Sequence, residues 1–179
     1  LRPDPNDPIA IQRAALAATD LVGEFEKPIY IRYDEEICAH GRSRKTGCRA
    51  CLDHCPVSAI SSLGEIVEFD PHICGGCGLC AALCPTGAIE YQLPAGATLL
   101  NQTRTLLETY QKAGGERPLL VIHDERHGSE MISMIARFGR GLPARALPLL
   151  VNEVTELGFD FYFDALAWGA AQIAILVGP

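Results

Sequence analysis

The sequence predicts an α+β module built on a duplicated cysteine loop, followed by a small α/β domain with a parallel sheet. Three observations carry this expectation. All eight cysteines lie between positions 38 and 84, and six of them form two copies of the run CxxCxxxCP: Cys48, Cys51, Cys55, Pro56 and then Cys77, Cys80, Cys84, Pro85. The residues around the two runs also repeat. After Pro94 no cysteine occurs, and helical stripes alternate with short apolar runs.

The elements follow in chain order, over three expected segments: 1–28, a tail and helix; 29–95, the cysteine module; 96–179, the α/β domain. Prolines at 3 and 5 make the first residues an extended tail. Asp7 and Pro8 suit an N-cap and first helical position, so a helix should run to about Val22. Ile11, Ala14, Ala15, Ala18 and Val22 would form one face and pack on the cysteine module. In the module, Cys48, Cys51, Cys55, Pro56, Ala59 and Ile60 recur 29 residues later as Cys77, Cys80, Cys84, Pro85, Ala88 and Ile89. Tyr33, Asp34, Ile37 and Cys38 recur as Phe69, Asp70, Ile73 and Cys74 at an offset of 36. A duplication of this kind implies two pseudo-symmetric halves, each a short strand, a cysteine loop, a helical turn and a second short strand. A strand over 29–33 should pair with 89–91, and a hairpin around Gly64 should lead into a strand over 66–69.

Leu99, Leu100, Thr103, Leu106, Leu107 and Tyr110 form the helical stripe that ends at Gly114 and Gly115. Strands over 119–123, 146–151 and 172–177 alternate with helices over 129–138 and 159–168. That order implies a parallel sheet with right-handed crossovers. Trp168 is expected to plug the core between helix and sheet.

Two sets of four thiols suit a cubane cluster, which needs four soft ligands at the corners of a tetrahedron. Two-residue gaps let a looping backbone wrap three of them around one face. The second loop, Cys74-Gly75-Gly76-Cys77-Gly78-Leu79-Cys80, places glycine at three positions where positive φ and close backbone approach to the cluster are expected. Residues 29–93 resemble the bacterial-type 2[4Fe-4S] ferredoxins, in which the fourth cysteine of each run, the one before proline, ligates the other cluster. The resemblance implies a ferredoxin-like fold, two [4Fe-4S] clusters and crossed ligation. Cys38, Cys48, Cys51 and Cys84 would hold cluster 1, and Cys74, Cys77, Cys80 and Cys55 would hold cluster 2.

The chief departure from that pattern is the first loop, where nine residues rather than two separate Cys38 from Cys48. Closure cost grows only logarithmically, by roughly 0.6 kcal/mol per doubling of length, so ligation is not prevented. A three-iron or incomplete first cluster stays open. The insertion carries Arg42, Arg44 and Lys45, with Arg49 just beyond. A solvated loop screening the cluster is the leading reading, with docking of an acidic redox partner or a raised potential as the alternative. His40, His54 and His72 flank cysteines and could tune a cluster through hydrogen bonds.

Other uses of the thiols fare worse. Disulfide frameworks belong to small secreted chains, and no signal-like segment is present. Zinc knuckles leave the third and fourth cysteines and the prolines unexplained. A redox-active dithiol needs only one CxxC, and the repeat argues against it.

Residues 117–179 resemble the iron-sulfur (delta) subunit of methyl-viologen-reducing hydrogenases and the C-terminal domain of the A component of heterodisulfide reductases. The likeness lies in the order of elements and in the closing run Asp164-Ala165-Leu166-Ala167-Trp168-Gly169-Ala170. That family places cluster cysteines after three strands. Here those places hold His123 to Arg126, Val151 to Glu153 and Gly178-Pro179, without a thiolate. The resemblance therefore implies a fold and a docking role in a redox complex, not a further cluster. The turn after residue 123 also lacks the glycine patterns that cradle phosphates. His123 and His127, with Asp124 and Glu125, are expected to be solvated rather than metal-bound.

The net charge of -7 becomes about -11 once eight thiolates and two oxidised cores are counted. Nucleic acid and anionic membrane surfaces are thereby disfavoured as partners. Hydrophobic residues make up 48% of the chain, but no apolar run is long enough to span a bilayer, so no integral membrane segment is expected. A start at Leu1 and a close on Gly178-Pro179 are what a fragment of a longer polypeptide would show. The expected function is cytoplasmic single-electron transfer among redox protein partners or other subunits of an oxidoreductase complex. A catalytic subunit whose active centre lies elsewhere, and a scaffold with structural clusters, are the alternatives.

Overall fold

A computed structural model describes residues 3–24, 26–41 and 47–178. The basic residues Arg42, Arg44 and Lys45 therefore lie outside the described residues. Helix α1 spans Pro8–Thr19, and the Asp7 carboxylate accepts from the amides of Ile9 and Ala10, as the N-cap reading requires. It ends before Val22. Contrary to expectation, α1 does not pack on the cysteine module: none of its side chains is buried, and Leu16 is 71% exposed. The physical reason is that its half-buried positions Ala10, Ala14 and Ala17 offer only methyl groups, too little apolar area to hold a helix down.

The cysteine module is two small antiparallel ladders joined by two short helices. Strand β1 (Ile31–Tyr33) pairs with β4 (Ile89–Tyr91), with Ile31 opposite Tyr91 and Tyr33 opposite Ile89. Strand β2 (Ile60–Ser62) pairs with β3 (Val67–Phe69) across the Gly64 turn. Helix α2 (Ala50–His54) packs against α3 (Leu79–Ala82). Cys51, Ile60, Val67 and Ile89 form the buried centre, and the half-buried Cys38, Cys55, Cys80 and Cys84 pack against it. The thiols are thus part of the core, which explains why so small a module has few other large apolar residues inside.

The remaining residues form a three-stranded parallel sheet with helices. Helix α4 (Gly96–Lys112) precedes β5 (Leu119–His123), α5 (Gly128–Phe138), β6 (Ala146–Leu150), α6 (Phe159–Ala167) and β7 (Gln172–Leu176). The sheet order is β6-β5-β7, with Ile122 opposite both Leu149 and Ile175. Leu120 and Ile122, fully buried, face Leu99 and Leu107 of α4 and Phe161 and Ala165 of α6. Trp168 packs on this core as expected, though it is only half-buried. Period-2 alternation turns His123 to the opposite face, where it meets Gly128 at the start of α5.

One short element was not foreseen. A 3-10 turn, Val154–Glu156, follows β6 and packs on α3 of the cysteine module. It brings residues more than seventy positions apart into contact.

Candidate functional site

The first thiol set depends on how the long insertion closes. The amide of Gly47 donates to the His40 carbonyl at 3.1 Å, and that of Cys48 to the Ala39 carbonyl at 3.3 Å. The base of the insertion is therefore stapled, and Cys38 and Cys48 end on one cavity wall despite the nine residues between them. His40 secures the arrangement. It is 1% exposed, its Nδ1 lies 2.8 Å from the Cys48 carbonyl and its Nε2 lies 2.9 Å from Ser62 Oγ. A carbonyl oxygen only accepts, so Nδ1 carries the hydrogen.

The resulting cavity is lined by Cys38, Cys48, Cys51 and Cys84, with Pro85 and Ile89 among its apolar walls. Cys84 comes from the second run. A separate cavity is lined by Cys55, Cys74, Cys77 and Cys80, with Ile31 and Phe69 among its walls, and here Cys55 comes from the first run. Backbone amides reach two of the sulfurs: His40 N–H donates to Cys38 Sγ at 3.5 Å and Ala59 N–H to Cys55 Sγ at 3.3 Å. Each cavity offers four soft donors in apolar surroundings, the donor set a [4Fe-4S] core requires.

The electrostatics agree with that chemistry. Burial, then the neighbouring thiol of Cys48, pushes Cys51 up to about 11. Burial, then Cys77 and Cys74, pushes Cys80 up to about 12. Four thiolates crowded into an apolar cavity repel one another, and only a cationic core makes them stable as anions. Cys51 also contributes to the shift of Cys80. The two sets share one packed core where α2 meets α3.

The second loop shows what its glycines are for. Gly76 and Gly78 have φ of 74° and 73°, the left-handed region. A Cβ on Gly76 would stand 2.7 Å from the Tyr30 ring, and one on Gly78 would stand 2.4 Å from Glu156 Cβ. Gly75 differs: its φ is not positive, so only close approach to a cluster would call for glycine there, and a Cβ at that place finds no protein atom within 4 Å among the described residues.

Sequence reasoning missed the outer support of this loop. Tyr91 donates its hydroxyl to the Gly76 carbonyl at 2.7 Å and accepts from Asn152 Nδ2. Thr155 donates its hydroxyl to the Cys77 carbonyl. Glu156, 8% exposed, lies against Gly78, and neither carboxylate oxygen has a hydrogen-bond partner among the described residues. Burial, reinforced by the Glu153 charge, pushes its carboxyl up to about 8. No local pattern marks these residues, because their partners lie 61 to 78 positions away.

The other candidates separate clearly. His54 and His72 are exposed, and their rings do not enter a cysteine cavity lining except for His54 at the rim of the second. Arg49 pairs with Asp53 at 2.9 Å on the surface of α2. His123 is buried, with Nδ1 3.0 Å from the Asp124 carbonyl and 3.3 Å from Ser129 Oγ, so it is a packed core residue rather than a solvated one. The Asp124 carboxylate accepts from the His127 and Gly128 amides at 2.7 and 2.8 Å and begins α5. Burial alone would raise that carboxyl, but these two amides, helped by the charges of His127 and Arg126, outweigh it and hold it below the usual range.

Comparison with known proteins places the cysteine runs. Residues 44–88 match the 4Fe-4S dicluster domain family. Over 58 residues the chain is 41% identical to an uncharacterized ferredoxin of Methanocaldococcus jannaschii, covering 32% of each chain. It is 49% identical over 40 residues to hydrogenase-4 component A of Escherichia coli, covering 22% of this chain and 20% of that one. It is 43% identical over 44 residues to the B component of an ion-translocating oxidoreductase complex of Methanosarcina acetivorans, covering 25% of this chain and 17% of that one. The chain thus spans a third or less of the length of these relatives. Residues 44–88 are a ferredoxin-like segment of the 4Fe-4S dicluster type, and iron-sulfur electron transfer is the role such a segment supports.

Proposed function

We propose that this chain conducts single electrons through two [4Fe-4S] clusters as part of a larger oxidoreductase complex. Cys38, Cys48, Cys51 and Cys84 hold one cluster, and Cys74, Cys77, Cys80 and Cys55 hold the other. The observation that carries the reading is the pair of separate cavities, each lined by four thiols, three from one run and one from the other. A bound cluster supplies the one-electron chemistry, while the protein supplies geometry, dielectric and hydrogen bonds. Cys51 of α2 and Cys80 of α3 belong to one packed core, which favours the junction of these two helices as the route between the two sites.

Under this proposal the module over 29–95 is the electron carrier and residues 96–179 are an α/β unit that sits against it. The partners are redox proteins or other subunits of the same complex; relatives named as components of a hydrogenase and of an ion-translocating oxidoreductase complex support that class. No helix among the described residues is long and apolar enough to cross a membrane, and a cytoplasmic location accords with thiols kept reduced for cluster assembly.

Anaerobic purification with iron and sulfide quantitation, followed by electron paramagnetic resonance of the reduced protein, tests the reading. About eight irons and eight sulfides per chain, with a spin-coupled signal, are expected. Stoichiometric zinc without sulfide would overturn it.

A further inference from the structure

The 29-residue repeat makes Cys48 and Cys77 equivalent positions, yet their carbonyls are held by different means. The Cys48 carbonyl takes a hydrogen bond from His40, inside the cysteine module. The Cys77 carbonyl takes one from Thr155, which belongs to the connection between β6 and α6. The same connection supplies Asn152, which donates to Tyr91, and Tyr91 in turn donates to the Gly76 carbonyl at 2.7 Å. Glu156 fills the space beside Gly78. Three consecutive residues of the second loop, Gly76, Cys77 and Gly78, are therefore fastened from outside by residues 152–156, directly or through Tyr91.

We propose that residues 152–156 are a positioning element for the second cluster, with Thr155 and Asn152 setting its reduction potential independently of the first. The inference rests on the crossed assignment of the clusters given above. Potentials of cysteine-held clusters respond to hydrogen bonds and to dipoles around the ligands. The Thr155 hydroxyl turns its hydrogen, the positive end of its dipole, toward the loop. Hydrogen-bonded groups polarise one another, so this donor also makes the Cys77–Gly78 peptide a stronger dipole. The hydroxyl dipole, with its positive end toward the loop, favours the more negative, reduced state. The Asn152 amide acts likewise through Tyr91, by making the phenol a better donor to Gly76. Removing either donor lowers the potential of the second cluster.

The test is a redox titration of the holoprotein followed through the hyperfine-shifted proton resonances of the cysteine β-carbons, which report each cluster separately. Wild type is compared with Thr155→Val, Thr155→Ser and Asn152→Ala. At a fixed solution potential, Thr155→Val should move the oxidised-to-reduced ratio of the second cluster about three- to tenfold toward oxidised, tenfold being about 59 mV for one electron. The first cluster should stay within twofold of wild type, Thr155→Ser should restore the second, and Asn152→Ala should act selectively in the same direction. Equal shifts in both clusters, or none in either, would overturn the proposal, as would Ser failing to differ from Val. If Thr155→Val lowers the iron content, Asn152→Ala decides by the same comparison. Two sets of shifted resonances and about eight irons in wild type check the cluster reading itself, so its failure is visible before any variant is compared.

Discussion

Cys55 and Cys84 are exchanged between the two thiol sets: Cys84 lines the cavity of Cys38, Cys48 and Cys51, and Cys55 lines that of Cys74, Cys77 and Cys80. Neither half of the duplication can complete a site alone. Each short helix carries one thiol for its own cavity and leads to one for the other, so the packing of α2 on α3 and the assembly of both sites are a single event. Under the proposed assignment, formation of a cluster in one cavity would order the chain that forms the second.

His40 should be the keystone of the first site. Replacing it with Ala leaves the Cys48 carbonyl and the Ser62 hydroxyl unpartnered and opens a void at a fully buried position. A loss of about 2–4 kcal/mol is expected. Visible absorbance followed during aerobic incubation should show the first cluster lost well before the second, as identified by iron content and by the surviving cysteine resonances.

Gly78 and Gly75 should respond oppositely to alanine. At Gly78 the new methyl meets both the Cβ and the backbone of Glu156, on a residue with φ of 73°. That combination should cost about 2 kcal/mol or more and expel the second cluster. Gly75→Ala should retain about eight irons per chain, because a Cβ there meets nothing among the described residues.

Glu156 gives the stability a pH dependence of known sign. Its folded value of about 8 lies above the ordinary 4.5, chiefly through burial, with the Glu153 charge adding to it. In the window between the two values the unfolded chain has released the proton and the folded chain keeps it, so the carboxyl opposes folding increasingly as pH rises through the window. Glu156→Gln should remove this contribution. Thermal bleaching of the holoprotein should show the variant gaining on wild type between pH 6 and 9, by an amount on the order of a few kcal/mol at the upper end. A constant difference across that range would count against a buried, neutral Glu156.

The two cysteine ladders and the βαβ order of the second half were legible because their signals are local: thiol spacing, a repeat, a helical stripe ending at Gly114, apolar runs of strand length. The fate of α1 was not. Its cap at Asp7 depends on three neighbouring residues, whereas docking depends on what its alanines could cover, and periodicity alone does not weigh that area. The outer support of the second loop was hidden for a different reason. Asn152, Thr155 and Glu156 form no motif, and their roles arise only because the 3-10 turn after β6 packs on α3. His40 lay between these cases: its place beside Cys38 was visible, but its two hydrogen bonds depend on the stapled insertion and on Ser62.

The most direct test of the crossed arrangement is the Cys84→Ser holoprotein, purified anaerobically and examined through the hyperfine-shifted cysteine resonances. The signals of Cys38, Cys48 and Cys51 should move or vanish while those of Cys74, Cys77, Cys80 and Cys55 persist. Changes confined to Cys74, Cys77 and Cys80 would contradict it.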